Sequence, residues 1–277
     1  MDAGKLLIPD YHTHTELCGH AVGTPEDYLR AAERQGLTGI GIADHFPLLP
    51  EADRSVAMSF SDLPEYVKEV EELKRRYPGY VFLGIEADYR PHTIDRVRAL
   101  LEEYPFDYVI GSVHFLGPWG FDDERQVGAY SGRDIDRVWV EYLQLVGDAA
   151  ESGAFTILGH LDLAKKFGYR PSLAVDVEID RLVERIVGAE VLVEINTAGL
   201  RKPVKEIYPS LSILSRLNRA GVNITFGSDA HRPSEVGLDF ERAVQLASEA
   251  GYTEYAALRP SDTGERAPFD LKPLPSL

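Results

Sequence analysis

Two pairs of possible metal ligands share one spacing in this chain, His12-x-His14 and Asp229-x-His231. On an extended strand, residues two apart point to the same side, so each pair can present two ligand atoms to one cation. Imidazole combined with carboxylate suits zinc, iron or manganese, and argues against a calcium site built from oxygens alone. Groups of the same chemistry follow other short apolar runs: Asp44-His45, Glu86 with Asp88, His114, and His160-Leu161-Asp162. A carboxylate such as Glu86 can bridge two cations, and a bridging group with a shared water is what a multi-metal hydrolytic site needs. Seven of the 8 histidines lie at or just after these runs or in the loop after the first. The outlier is His92, expected to face solvent in the loop Arg90-Pro91-His92.

The runs that carry these groups read as strands: Leu6–His12, Gly39–Asp44, Tyr80–Glu86, Tyr108–Val113, Thr156–Gly159, Val191–Asn196 and Val222–Gly227. Several are almost continuously apolar, as strands buried on both faces should be. Amphipathic helices are expected over Pro25–Gln35, Leu63–Tyr77, Asp134–Ser152, Ala174–Val187, Leu211–Ala220 and Glu235–Ala250. The first has Thr24 as N-cap, Pro25 in its first turn and Gly36 at its end, each the favoured residue there. About seven β–α units in one domain over 1–277 predict a distorted (β/α)7 barrel, with an open doubly wound sheet as the alternative. In a parallel barrel the C-terminal strand ends gather on one face, which brings the ligand-type residues to one mouth. The segment 260–277 is proline-rich and aperiodic, and reads as an extended surface tail.

Composition narrows the function classes. The net charge of -16 argues against a general nucleic-acid surface. It leaves a phosphorylated small molecule open, because bound cations reverse the local sign of a site. No apolar run approaches the length of a membrane span, and the first ten residues show no signal-peptide pattern. The single cysteine, Cys18, excludes an intrachain disulfide and fits a reducing cytoplasm. No glycine-rich phosphate loop is present, which disfavours an ATP-dependent reaction. Oligomeric state is not legible.

Taken in order, His12-x-His14, His20, Asp44-His45, Glu86, His114, His160 and Asp229-x-His231 resemble the PHP family, named for polymerase and histidinol phosphatase. The resemblance covers essentially the whole chain. It implies a distorted seven-unit barrel with two to three divalent cations. It further implies that His12, His14, Glu86 and Asp229 hold one cation, that Glu86, His114 and His160 hold a second, and that His20, His45 and His231 hold a third. The stretches Leu17-Cys18-Gly19-His20-Ala21, Gly111-Ser112-Val113-His114-Phe115, Trp119-Gly120-Phe121-Asp122, Gly159-His160-Leu161-Asp162-Leu163 and Asn196-Thr197-Ala198-Gly199-Leu200-Arg201 resemble the histidinol-phosphate phosphatase branch, as does Ser228-Asp229-Ala230-His231-Arg232-Pro233. That branch implies hydrolysis of L-histidinol phosphate in histidine biosynthesis.

The expected chemistry is in-line attack on phosphorus by a hydroxide bridging the cations. Arg201 follows the sixth strand and is a candidate phosphate clamp, with Lys165 or Lys166 as a second cation. Asp44 is expected to orient a ligand, with weak metal binding or general-acid catalysis as the alternative roles. Trp119 or Phe121 is a candidate to stack on a substrate ring, and Asp122 to pair with an ammonium. Rival readings are a phosphoesterase for a nucleotide, sugar phosphate or phosphotyrosyl protein, a metal-dependent amidohydrolase, and a non-catalytic scaffold. An amidohydrolase normally has a carboxylated lysine or an equivalent bridging group at a strand end, where this chain has Glu86, and a scaffold should have lost ligands.

Overall fold

The computed structural model describes residues 8–51, 53–261 and 266–276. In chain order the elements are α1 (Pro25–Gln35), β1 (Ile40–Ile42), α2 (Leu63–Arg76), β2 (Val81–Leu83), β3 (Glu86–Asp88), α3 (Ile94–Leu101), β4 (Ile110–Ser112), β5 (Phe115–Leu116) and β6 (Trp119–Gly120). There follow α4 (Ile135–Glu151), β7 (Ile157–Leu158), α5 (Asp176–Ala189), β8 (Leu192–Asn196), α6 (Leu211–Arg219), β9 (Ile224–Gly227), α7 (Phe240–Glu249), β10 (Glu254–Leu258) and β11 (Phe269–Pro273). Helix α1 begins as its sequence requires. Thr24 and Asp27 form a reciprocal capping box, and Gly36 closes the helix in the left-handed region at φ 71°. The last helix is shorter than expected. Gly237 and Asp239 adopt φ 64° and 63°, so the chain turns twice before α7 can start.

The centre is a mostly parallel sheet in the order β3-β4-β7-β8-β9. The parallel pair β1-β2 adjoins it through the bridge between His45 and Glu86. The segment expected as the first strand is not a regular one; residues 6 and 7 lie outside the described residues. From residue 8 onward it is tied by isolated parallel bridges, Asp10 to Ile40 on one side and Thr13 to Ala230 on the other. Tyr11 N donates to Phe226 O at 3.1 Å. The reason for the irregularity is local. His12 N donates to the Asp10 side chain at 3.2 Å instead of to a neighbouring strand. The run expected as one strand over 80–86 is likewise split. At its break the Tyr66 hydroxyl donates to Ile42 O and Gly84 O, at 2.8 and 2.6 Å. A Cβ at Gly41 or Gly84 would lie within about 2 Å of the Tyr108 ring or hydroxyl, so only glycine lets these strands close on that tyrosine.

Side chains on one face of the sheet change character along the strands. Phe82, Ile110, Ile157 and Leu192 form an apolar floor with Tyr11, Tyr108 and residues of β10. Two residues further on, Ser112, Gly159 and Glu194 continue the same faces of β4, the β7 strand end and β8. The polar groups therefore collect at the C-terminal strand ends, above a sealed floor. Outside, α4 packs on α5, α5 on α6 and α6 on α7. No helix of the described residues is long and apolar enough to cross a membrane. The C-terminal segment is extended, as expected, but it also pairs: β11 is an exposed antiparallel partner of β10.

Asp10 joins the first segment to the loops after β9. Its carboxylate accepts from Ser228 N at 2.9 Å, Ser228 Oγ at 2.5 Å, Gly237 N at 2.9 Å and His12 N. In Asp10→Asn an amide NH2 faces donors that need an acceptor. A loss of about 1–3 kcal/mol is expected from this buried mismatch. Urea denaturation would measure it, and an unchanged midpoint would remove Asp10 from this structural role.

Candidate metal centre

Glu86 opens β3 and is buried. One oxygen, Oε2, lies 3.3 Å from His12 Nε2, 3.5 Å from His14 Nε2 and 3.0 Å from His45 Nδ1. The other, Oε1, lies 3.1 Å from His160 Nε2 and 3.7 Å from His114 Nε2, and accepts from Ser112 Oγ at 2.5 Å. Asp229 Oδ1 is 3.3 Å from His14 Nε2, 3.4 Å from His231 Nδ1 and 3.9 Å from His12 Nε2. His20 Nε2 and His231 Nε2 are 2.9 Å apart. All nine ligand-type residues singled out from the sequence therefore converge, although they span 12–231 in the chain.

Ligand atoms within 4.8 Å of one another fall into groups: His12-His14-Glu86, Glu86-His114-His160, and His14-His45-His231. The second holds the residues of one expected group, and the first holds three of the four of another, with Asp229 left out. The third differs. His14 lies with His45 and His231, its ring stacked on both at centroid distances of 4.4 and 4.3 Å, while His20 groups with Cys18 and His231. The Cys18 thiol is buried and pushed up to about 12, chiefly by that burial, so it is not a ready thiolate.

Whether these residues fit cations can be tested on the protein alone. His12 Nε2, both His14 nitrogens, His160 Nδ1 and Glu86 Oε2 are buried with no hydrogen-bond partner among the described residues. Orphaned groups of this kind are costly, and here they cluster as ligand atoms would. The electrostatics divide the rings into two sets. Burial pushes His14 well down, reinforced by His231 and His45, and takes His20 to about 3. Burial opposes charge on Glu86, yet His45 and His12 hold its carboxyl well below the usual range. Burial works against charge on His12, His45 and His114 as well, but the neighbouring carboxylates raise all three, so without cations protons on these rings offset Glu86, and a bound cation would displace them. Two of the ligand-type residues also sit in left-handed backbone, His160 at φ 26° and Asp229 at φ 51°. Such strain persists only where its surroundings enforce it, and it clusters at functional sites.

Supporting groups fix the rings. His114 Nδ1 is 3.0 Å from Asp88 Oδ1, and His231 Nδ1 is 3.1 Å from Asp229 O. Sequence reasoning missed the firmest of these. Glu194, buried in β8, places Oε1 2.6 Å from His12 Nδ1, while Oε2 accepts from His160 N and Asn196 Nδ2, both at 2.9 Å. The available signal was a glutamate inside the apolar run Val191-Leu192-Val193-Glu194-Ile195. Gly227 leaves room for it, since a Cβ there would sit 1.8 Å from Glu194 Oε1.

Seven of the nine ligand-type residues, all but the buried His12 and His14, line a cavity of about 670 Å³, which Arg201, Lys166, Asp122 and Tyr208 also line. Arg201 Nη2 donates to Ser228 O at 2.6 Å and Asp229 O at 3.2 Å; Nη1 has no partner among the described residues. Lys166 Nζ donates to Asp122 O at 2.6 Å and pairs with Asp122 Oδ2 at 3.1 Å. Asp122 stays anionic: burial works against it, but Lys166 and His114 hold its carboxyl below the usual value.

Other expected contacts are corrected. Lys165 is buried away from the cavity, paired with Asp162 at 2.9 Å and donating to Ile207 O at 2.7 Å, so it is a strut and not a phosphate contact. Trp119 and Phe121 are buried too. Trp119 lies against Tyr130 at 4.7 Å and under the Arg133 guanidinium at 4.1 Å, and Phe121 packs edge-on to Tyr142 at 5.3 Å. They pin the loop and offer no face to a substrate. Asp44 does not line the cavity; its two oxygens accept from Thr15 N and Thr15 Oγ1. It orients the chain between His14 and His20, and a general-acid role has no geometric support. His92 is exposed, as expected.

Glu194 holds the His12 ring through the nitrogen turned away from Glu86. Glu194→Gln is expected to weaken cation affinity roughly 10-fold to 100-fold, the usual cost of losing such a partner. Chelator competition would read it, with circular dichroism to confirm folding. Unchanged affinity would mean that the ring needs no such support.

Comparison with known proteins agrees with this geometry. The model of the PHP domain matches residues 10–198. A probable histidinol-phosphatase of Deinococcus radiodurans is 41% identical over 87% of this chain and 93% of its own length. The histidinol-phosphatase of Bacillus subtilis is 28% identical, covering 84% of this chain and 96% of its own. Among solved structures, histidinol phosphate phosphatase from Lactococcus lactis, complexed with zinc, L-histidinol and phosphate, superposes with a TM-score of 0.78 at 24% identity, over 94% of this chain and 98% of that one. At that identity the likeness is one of fold. With more than half its length under the family model and its ligand-type residues converged on Glu86, the chain belongs to the PHP family.

Proposed function

We propose that this protein is a metal-dependent phosphomonoesterase that hydrolyses L-histidinol phosphate to L-histidinol and phosphate, a reaction of histidine biosynthesis. The observation that carries the hydrolytic part is the sharing of Glu86 between two clusters of imidazoles, one on each oxygen. The substrate rests on the names of the relatives and on the charges of the cavity. Arg201, Lys202 and Arg232 come from loops after β8 and β9, whereas Asp122, Asp123 and Glu124 come from the loop after β6. An anionic phosphate and a cationic amine can thus be met by different loops of one cavity. The net acidity and the single buried cysteine fit an enzyme of a reducing cytoplasm acting on a small molecule, not on nucleic acid.

For the architecture, we read the described residues as one domain, a distorted seven-stranded barrel. Segment 8–14 supplies the first strand, supported by its bonds to β1 on one side and to the chain around β9 on the other. The donor set of imidazole and carboxylate suits two to three cations of zinc, iron or manganese. His12, His14, Glu86 and Asp229 would hold one, Glu86, His114 and His160 another, and His20, His45 and His231 a third, with His14 near enough to join it. When bound, such cations acidify a coordinated water and neutralise charge on a phosphoryl group. The chain does the rest. Glu86 fixes the spacing of the two clusters. Arg201, anchored by two carbonyls, keeps Nη1 free to donate to a phosphoryl oxygen, and Lys166 adds positive charge beside it. Asp122 can take the substrate ammonium while sharing Lys166.

Three outcomes are expected. Elemental analysis of the purified protein should find about two to three equivalents of transition metal, and chelation should abolish phosphate release; full activity in metal-free protein would refute the reading. Histidinol phosphate should be turned over far faster than 4-nitrophenyl phosphate, a nucleotide or a sugar phosphate. A preference for one of the latter would move the protein to another substrate within the same chemistry. Glu86→Gln should lower kcat by on the order of 10²–10³, the scale of removing one preorganised charge, with the fold retained. Wild-type turnover in that variant would show that Glu86 is not the shared group.

A further inference from the structure

Tyr208 is held in place more firmly than its own hydrogen bonding requires. Its backbone pairs with Asn196 in both directions, at 2.7 and 2.9 Å, which brings the chain after Arg201 back against β8. Two residues on, Ser210 N donates to Asp162 Oδ2 at 2.9 Å. The buried Lys165 ammonium lies 5.2 Å from the Tyr208 ring centroid while it also holds Asp162 and Ile207 O. Gly199 permits the approach, because a Cβ there would stand 1.9 Å from Glu206 O and 2.9 Å from Tyr208 Cε2. All this positions a ring that meets His160 edge-on, at 6.5 Å, and lines the cavity. Yet the Tyr208 hydroxyl is buried and has no hydrogen-bond partner among the described residues.

An unmet buried hydroxyl is destabilising, and a phenylalanine would fill the same space without that cost. The hydroxyl makes sense if its partner arrives with the substrate. Its surroundings name the partner: Arg201 and Lys166 line the same cavity, beside the His160 end of the metal-type cluster. We propose that the Tyr208 O–H donates a hydrogen bond to a phosphoryl oxygen of the bound substrate. This rests on the phosphomonoesterase reading. A phenol keeps its proton at neutral pH and is available as a donor. A phosphate group presents acceptor oxygens to it.

The test is Tyr208→Phe in the metal-loaded protein, with inorganic phosphate as the probe. Calorimetry should show phosphate binding weakened about tenfold, the scale of one such hydrogen bond. The melting temperature should stay level or rise, because an unmet buried group has been removed. A fall in melting temperature would mean that the hydroxyl serves an internal bond, and would overturn the proposal. So would unchanged phosphate affinity, including the case where kcat falls only for substrates with poor leaving groups, which would place the hydroxyl on the leaving-group oxygen. Failure of the functional reading looks different: the unmodified protein would then neither bind phosphate nor hydrolyse any phosphomonoester.

Discussion

Five imidazoles within 4 Å of one buried carboxylate set the terms for the rest of this molecule. An ionised carboxylate removed from water costs several kcal/mol unless charge and hydrogen bonds compensate it. Ser112 and His160 supply such bonds at Oε1, but Oε2 has close imidazoles without a hydrogen bond, and several ring nitrogens remain unsatisfied. The arrangement is a poor way to stabilise an apo protein and a good way to prepare a cation site. Its components are distant in sequence, so only a fold that gathers many strand ends at one place can build it.

The fold does this with short strands. A floor of Phe82, Ile110, Ile157 and Leu192 excludes water from below, and the next same-facing positions turn polar. The period of two along a strand thus becomes two layers, one for stability and one for chemistry. At the upper layer regular geometry gives out. Strand one is reduced to bridges, and His160 and Asp229 take backbone conformations that most residues avoid. These departures are enforced locally: Glu194 Oε2 fastens His160 N, and Asp10 fastens Ser228, the neighbour of Asp229. Buried carboxylates outside the cavity thereby set the aim of the ligand-type residues.

Much of this was legible in the sequence because the signals were local. Apolar runs ending in His, Asp or Glu marked the strands, and Thr24, Pro25 and Gly36 marked α1. Helix α3 was not recognised, being short and without a side-chain cap at Thr93. The nine ligand-type residues could be named, but the company each keeps could not. His14 faces two clusters, a matter of ring orientation that spacing does not determine. Glu194 and Asp10 escaped notice because a lone acid in a strand has no motif; its partner is 182 or 218 residues away. Lys165 and Lys166 show the same limit. They are adjacent, yet one is sealed beneath the 206–208 loop and the other reaches the cavity.

The loop after β4 shows how a mistaken expectation clarifies the design. Trp119 and Phe121 looked like surfaces for a substrate ring, since long loops at strand ends build specificity. Both rings are spent on packing, with Tyr130 in turn stacked on Tyr169 at 4.1 Å. That packing ties the loop down and places Asp122 on the cavity wall near His114 and His160. Lys166 completes the constraint by bonding both the carbonyl and the carboxylate of Asp122. Selectivity by charge needs such fixity. A mobile carboxylate would meet an ammonium at many separations from the phosphate, while an anchored one favours substrates whose two charges are the right distance apart. Under the function proposed above, the aromatics would act on recognition through the position of Asp122, without touching the substrate.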